Sequence, residues 1–188
     1  MNNEISNALK TLKSGGLILY PTDTIWGIGC DSLSDNAVKK IFNLKKRDLS
    51  KPLICLASSY EMINEYADIN NLKILKKISK NGPSTFIFLN PKKISKYVTS
   101  DGDSIAFRIP KDEFCIRLIQ EFGKPIISTS ANISNDNIPH SFNEINNQII
   151  DKVDYIVNLR KNDICNNSSS IYKLEKDGNL LKLRWLWI

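Results

Sequence analysis

The chain carries a single histidine in 188 residues and four cysteines, none of them spaced as Cys-x-x-Cys. A zinc site needs close Cys/His pairs, so none is expected. Cys30 and Cys55 lie in apolar, strand-like contexts, Cys115 in an amphipathic helical stretch and Cys165 far from all three. That scatter predicts reduced, mostly buried thiols rather than disulfides. A Ser-His-Asp triad would have to use His140, which falls in a polar loop and reads as a solvated side chain. No G-x-x-x-x-G-K-[ST] is present, which excludes a P-loop. "GIG" at 27–29 runs into Cys30 and Asp31 and opens no helix, so the dinucleotide fingerprint is missing too. Gly27 and Gly29 read instead as points of close backbone approach. The longest apolar runs, "LILY" and "TFIFL", are far too short to span a bilayer. The opening Met-Asn-Asn-Glu has neither the basic nor the apolar region of a signal peptide, so a cytoplasmic location, with no membrane partner, is expected. Repeats and low-complexity linkers are also missing, and one domain over 1–188 is the expectation.

What is present is ordinary globular material: 41% hydrophobic and 24% charged residues. The net charge of +6 suits an anionic partner, small molecule or nucleic acid, without choosing between them. Ile5, Ala8, Leu9 and Leu12 recur at helical spacing, and Gly15-Gly16 ends that helix. "LILY" reads as a buried strand stopped by Pro21, and "WGIGC" as a second extended stretch. Ser34 reads as the N-cap of a helix whose apolar face is Ala37, Val38, Ile41 and Leu44. Lys45 and Lys46 then fall in its last turn, where positive charge complements the dipole. "PLICLA" is a strand, and helices are predicted near Tyr60–Tyr66 and Leu72–Lys80. A turn at Asn81-Gly82-Pro83 leads to strands "TFIFL" and "SIAFRI". Glu113–Phe122 reads as a helix with Gly123 as its stop. "PIIS" is a short strand, Ser141-x-x-Glu144 a capping box for a further helix, and "VDYIV" another strand. Asp177-Gly178 between "SIYKL" and "LLKLRWLW" is a hairpin signal. Helices and strands alternate throughout, which argues α/β with a mixed sheet.

Three stretches could carry chemistry. "YPTDTIWG" places two threonines around an aspartate directly after a buried strand, where α/β proteins place ligands. "LKKRDLSKPL" packs Lys45, Lys46, Arg47 and Lys51 at the junction of a helix and a strand. Such a run is commonly just solvated, but a polyphosphate needs several converging cations, and arginine adds a bidentate fork. "PIISTSANIS" sets Ser128, Thr129, Ser130 and Asn132 after a short strand, where they form either a capped turn or a set of neutral donors for phosphate or carboxylate oxygens.

Taken in order, "YPTDTIWGIGCD", "KKRDLSKPL", "GPSTFIF", "IAFRIP" and "STSANIS" resemble the YrdC/TsaC family of threonylcarbamoyl-AMP synthases, from about Gly15 to Arg184. The specific part is K-x-R, here Lys45-Lys46-Arg47, followed much later by S-x-N, here Ser130-Ala131-Asn132. The resemblance implies an open twisted mixed sheet flanked by helices, with a positively charged concave face. It implies a nucleotidyltransferase that turns L-threonine, bicarbonate and ATP into L-threonylcarbamoyladenylate and pyrophosphate. A downstream transferase partner then modifies tRNA, with a possible tRNA contact by this chain. By resemblance, Lys45, Arg47 and Lys51 hold the triphosphate and its developing charge, and Lys46 is a solvent-facing bystander. Ser104, Ser130, Asn132 and Arg184 also face the nucleotide. Thr24, Arg108, Ser128 and Ser169 hold threonine, with Arg108 on its carboxylate. Mg²⁺ is expected to be bound mainly through the ATP phosphates, with no dedicated metal ligands in the protein. Little covalent work falls to the protein, which agrees with the want of an obvious nucleophile or base.

Four departures from the family pattern are visible. Asn135 stands where glycine is usual, and asparagine tolerates a left-handed backbone. "NNSSSIY" lacks a preceding proline, so Ser168 and Ser170 compete with Ser169. Leu56 stands where longer members carry histidine, and no extra C-terminal domain is expected beyond Ile188. Two other readings compete: a non-catalytic RNA-binding or ribosome-assembly module of the same fold, and the related carbamoyl-transfer domain of larger maturation proteins. The first would spread basic residues and aromatics along one face, and the second would bring zinc-finger cysteines and greater length.

Overall fold

The fold was taken from a computed structural model, which describes residues 1–99, 103–165, 168–174 and 180–184, with Leu174 and Arg184 described by backbone alone. In α1, Asn2–Lys13, the residues Ile5, Ala8 and Leu12 are buried on one face. The helix α2, Asp35–Lys45, starts where the Ser34 hydroxyl accepts from the Ala37 N–H, and it stops at Lys46, whose backbone is left-handed at φ 49°. Ser59, Asn71 and Asp112 cap α3 (Tyr60–Tyr66), α4 (Leu72–Ser79) and α5 (Glu113–Phe122) in the same way. Each cap contributes about 1 kcal/mol. Gly123 ends α5 at φ 77°, as its position after the apolar periodicity predicts. The Ser141 capping box is a correction. Its residues form a single 3-10 turn, Phe142–Glu144, because the Glu144 carboxylate accepts from the Ser141 hydroxyl and the His140 N–H. The helix that follows, α6 (Asn147–Ile150), is one turn long and capped by Asn146.

Among the described residues, nine strands make one mixed sheet. They are β1 (Ile18–Tyr20), β2 (Gly27–Gly29), β3 (Ile54–Leu56), β4 (Ser84–Leu89), β5 (Ser104–Arg108), β6 (Ile126–Ser130), β7 (Tyr155–Ile156), β8 (Ser170–Leu174) and β9 (Leu180–Arg184). Their order is β7-β1-β2-β6-β3-β5-β4-β8-β9. The pairs β1/β7, β3/β5 and β4/β8 are parallel and the other neighbours antiparallel. The antiparallel β8/β9 pair agrees with the hairpin signal, whose turn at 176–179 lies outside the described residues. Only two residues of "VDYIV" pair as strand. Gly29 is where side chains would collide: a Cβ there would meet Tyr20 Cε1 at 2.7 Å and the Ile127 carbonyl at 2.8 Å.

Alternation along the strands sends side chains to two cores. One face carries Leu19, Ile28, Cys55, Phe86, Phe88, Phe107 and Ile127 and is roofed by α2, α3 and α4. The other carries Ile18, Tyr20, Leu56 and Ile126 beneath α1 and α5. The strands β4 and β5 send no residue into that second core. Their side chains on that face, Ile87, Ala106 and Arg108, line a cavity instead. The half-covered sheet face is therefore what makes room for a ligand. Cys30, Cys55 and Cys115 are buried and all four thiols are free, as the scattered spacing predicts. Among the described residues, no helix is long and apolar enough to cross a membrane.

Candidate active site

The cavity measures ≈ 260 Å³ and draws its walls from separate stretches of the chain: the loop after β1, the segment after α2, and strands β3, β4, β5, β6 and β8. Its polar side chains include Thr22, Thr24, Arg47, Arg108, Ser128, Ser130, Ser168 and Ser169, and among the described residues its lining contains no carboxylate. Ile54, Ile87, Ala106 and Ile171 give it an apolar floor.

The two threonines form a directed relay. Thr22 Oγ1 donates to the Ile25 carbonyl at 2.8 Å, which uses its only proton. The 2.9 Å contact between Thr22 Oγ1 and Thr24 Oγ1 must then be donated by Thr24. Thr24, which is 7% exposed, is left presenting lone pairs to the cavity. It is an acceptor, suited to a ligand O–H or N–H. Trp26, fully buried, packs against Phe142 at 5.0 Å just beyond this loop. Losing a buried tryptophan costs about 3–5 kcal/mol, so the loop is firmly anchored.

Arg108 is 4% exposed and its Nη1 donates to Asp23 Oδ1 at 2.5 Å. Asp23 Oδ2 accepts from the Lys111 N–H at 3.0 Å. Asp23 thus uses both oxygens to fix the guanidinium and the chain after β5. Arg47 is half-buried and anchored along one edge, Nε to the Lys51 carbonyl at 3.3 Å and Nη2 to the Pro52 carbonyl at 2.8 Å. Burial lowers its pKa, but a guanidinium remains charged at neutral pH. Arg108 is in register with Leu56, while Arg47 is tied to Pro52. Both guanidiniums thus stand in the lining of one cavity, each held by its own partners.

Of the residues singled out from sequence, Thr24, Arg47, Arg108, Ser128, Ser130 and Ser169 line this one cavity. Ser168 lines it as well, and the Ser169 hydroxyl shares a 2.7 Å hydrogen bond with Thr85. Ser104 lies on the same strand face as Ala106 and Arg108 by alternation but is not part of the lining. Asn132 lines a neighbouring polar hollow with Asn135, Asp136 and Glu144. Lys51 and Lys46 are exposed and outside the lining. The side chain of Arg184 lies outside the described residues. Lys45 departs furthest from expectation. It is 1% exposed, it does not line the cavity, and its Nζ donates to the carbonyls of Ser130 and Asn132 and to Asn132 Oδ1. Burial, reinforced by the charge of Arg47, lowers its pKa to about 7. Sequence reasoning missed the roles of Thr22 and Asp23. The signal was there, since both lie in the "PTDT" stretch, but only the structure shows the relay and the ion pair. Gly27 also has a reason at this site: a Cβ there would lie 3.0 Å from Ser128 Oγ.

Residues 10–184 match the Sua5/YciO/YrdC family, described as "telomere recombination". A threonylcarbamoyl-AMP synthase of Psychromonas ingrahamii is 39% identical over 149 residues, covering 77% of this chain and 78% of that protein. The Escherichia coli K12 protein of the same name is 36% identical over 143 residues, covering 71% and 75%. Among solved structures, P. abyssi Sua5 complexed with L-threonine superposes with a TM-score of 0.85 at 28% identity, covering 97% of this chain. The chain spans about half of that protein's length, 54%. E. coli YciO shares the fold, with a TM-score of 0.85 at 20% identity over 100% of this chain and 91% of its own.

Proposed function

The chain belongs to the Sua5/YciO/YrdC family, and from that premise we propose that it is a threonylcarbamoyl-AMP synthase, a nucleotidyltransferase acting on L-threonine, bicarbonate and ATP. The observation that carries the reading is the placement of Arg108 and Arg47 in the lining of one cavity, each fixed by its own partners, with an acceptor hydroxyl, Thr24, on its wall. A ligand with a carboxylate, a hydroxyl and a phosphate matches that pattern. The naming of the relatives and the L-threonine complex of Sua5 support the same choice.

Arg108, pre-oriented by Asp23, takes the threonine carboxylate. Thr24 accepts from the threonine hydroxyl, and Ser128 and Ser169 complete the polar wall. The threonine amine combines with bicarbonate, losing water, to give a carbamate. A carbamate oxygen attacks the α-phosphorus of ATP, the bond to the bridging oxygen breaks, and pyrophosphate leaves. Arg47 neutralises charge on the phosphates in this step, with Ser130 beside it. Lys51, Ser104, Asn132 and Arg184 belong to the outer reach of the nucleotide in this reading. Mg²⁺ fits as an ion carried by the ATP phosphates, since among the described residues the cavity lining offers it no carboxylate. It would neutralise phosphate charge, while the protein's residues position the two reactants. The product is an activated acyl donor, so a separate transferase takes it onward to tRNA.

The experiment is pyrophosphate release by the purified protein with each substrate omitted in turn. We expect release only when ATP, threonine and bicarbonate are all present. Release that continues unchanged without threonine refutes the assignment and makes the chain an enzyme that cleaves ATP for another acceptor, while no release with all three present returns the cavity to plain nucleotide or RNA binding.

A further inference from the structure

Lys45 ends α2, and in its protonated form its ammonium has three hydrogens to place. All three are committed: to the Ser130 carbonyl and the Asn132 carbonyl at 2.5 Å each, and to Asn132 Oδ1 at 3.1 Å. Its own carbonyl accepts from the Ser134 N–H at 2.8 Å. One residue therefore grips the 130–134 turn with both its side chain and its main chain. The left-handed backbone at Lys46 explains how neighbours in sequence part company: Lys45 turns inward while Arg47 reaches the cavity wall.

The grip also fixes chemistry. Asn132 Oδ1 accepts from Lys45 and from the Ser130 hydroxyl at 2.6 Å, while Asn132 Nδ2 donates to the Asp136 carbonyl at 2.7 Å. The amide is thereby held one way round. In this state Ser130 spends its proton on Asn132 and can donate to a phosphate only by rotating away. When it does, Lys45 still holds Asn132 Oδ1. Swinging Lys45 itself onto a phosphate would strip both backbone carbonyls of their ammonium partner, a costly exchange for buried groups.

We propose that Lys45 is a positioning residue that locks the Ser130–Asn132 turn against the end of α2, and that it takes no phosphate itself. This rests on the assignment of the cavity to ATP and threonine. It explains in physical terms why K-x-R and S-x-N belong together: the first lysine of one motif is bonded to the serine and the asparagine of the other.

The test compares Lys45→Met and Lys45→Arg. Arginine is the better phosphate ligand, but its planar fork cannot direct three N–H groups from one atom. Misplacing the turn is expected to lower kcat/KM for ATP about 100-fold in both variants. Amide exchange over residues 131–136, measured without nucleotide, is expected to accelerate about tenfold or more in both, while the amides of Cys55 and Phe107 in the sheet centre stay protected. In the wild-type protein, the Lys45 ¹⁵N-ammonium resonance should stay in place as ATP is added, while Arg47 side-chain resonances move. That arm needs no variant to fold. Retention of activity by Lys45→Arg within about threefold of wild type, unchanged exchange in both variants, or a Lys45 resonance that moves with ATP would each overturn the proposal. If the wild-type chain releases no pyrophosphate, the functional assignment fails, and amide exchange alone decides the role of Lys45.

Discussion

Replacing Thr24 by valine keeps the shape of the side chain and removes one hydroxyl. Within the protein the loss is small. Thr22 Oγ1 keeps its bond to the Ile25 carbonyl and still accepts from the Thr24 N–H at 3.1 Å, so the fold should lose about 1 kcal/mol. At the cavity the loss is larger, because the ligand hydroxyl then faces a methyl group. An unpaired buried polar group costs about 1–3 kcal/mol, which is roughly 5- to 150-fold in affinity. We predict that the KM for threonine rises within that range, while the KM for ATP stays within about twofold, since Thr24 takes no part in anchoring Arg47. Steady-state pyrophosphate release at varied threonine and varied ATP measures both constants. The same relay predicts amino-acid choice in the wild-type protein. Serine, lacking one methyl, should be weaker by about 1–3 kcal/mol, and valine, lacking the hydroxyl, near background. A Thr24→Val protein with a raised KM for ATP and normal threonine kinetics would remove Thr24 from the amino-acid pocket and refute the directed relay.

Arg47→Ala should slow the reaction by about 2–4 kcal/mol in transition-state stabilisation, while exposed Lys46→Ala should leave it near wild type. Equal losses in kinetic assays would mean that the charge run acts only as a solvated surface. Asp23→Asn should cost stability, because it leaves the guanidinium of Arg108, whose side chain is 5% exposed, without its carboxylate. The expected loss is about 3–5 kcal/mol in urea unfolding, partly recovered by threonine, whose carboxylate replaces the missing charge. An unchanged midpoint would show that the ion pair contributes nothing. Asn135, at φ 74°, should tolerate glycine but lose about 1 kcal/mol on substitution by alanine; equal stability of the two variants in thermal melts would contradict the strain.

The elements most legible in the sequence were those set by local chemistry. The helix Glu113–Phe122 follows from its apolar pattern and Gly123 as a stop, and it appears at those residues, with Asp112 as its cap. Tyr60–Tyr66 also appears where it was expected. The left-handed turn at Asn135 was also legible, because few residues other than glycine accept it. What could not be read was long-range. Nothing near Ile126–Ser130 says that this strand inserts between β2 and β3, yet that insertion brings Ser128 and Ser130 into the cavity. Lys45 misleads for a related reason. In sequence it is one of four cations at a helix end, and only the arrival of the 130–134 turn, more than eighty residues later, gives its ammonium three oxygens and makes burial affordable. Ser141 and Glu144 failed as a helix start because the Ser141 hydroxyl is spent on the Glu144 carboxylate and caps no backbone N–H.

Mass spectrometry of the product formed with ¹³C-bicarbonate tests the central claim most directly. The purified chain, given ATP, L-threonine, Mg²⁺ and the labelled bicarbonate, should yield an adenylate whose mass contains one threonine and one labelled carbon, in step with pyrophosphate. An adenylate without the labelled carbon, or pyrophosphate with no threonine-containing adenylate at all, would contradict it.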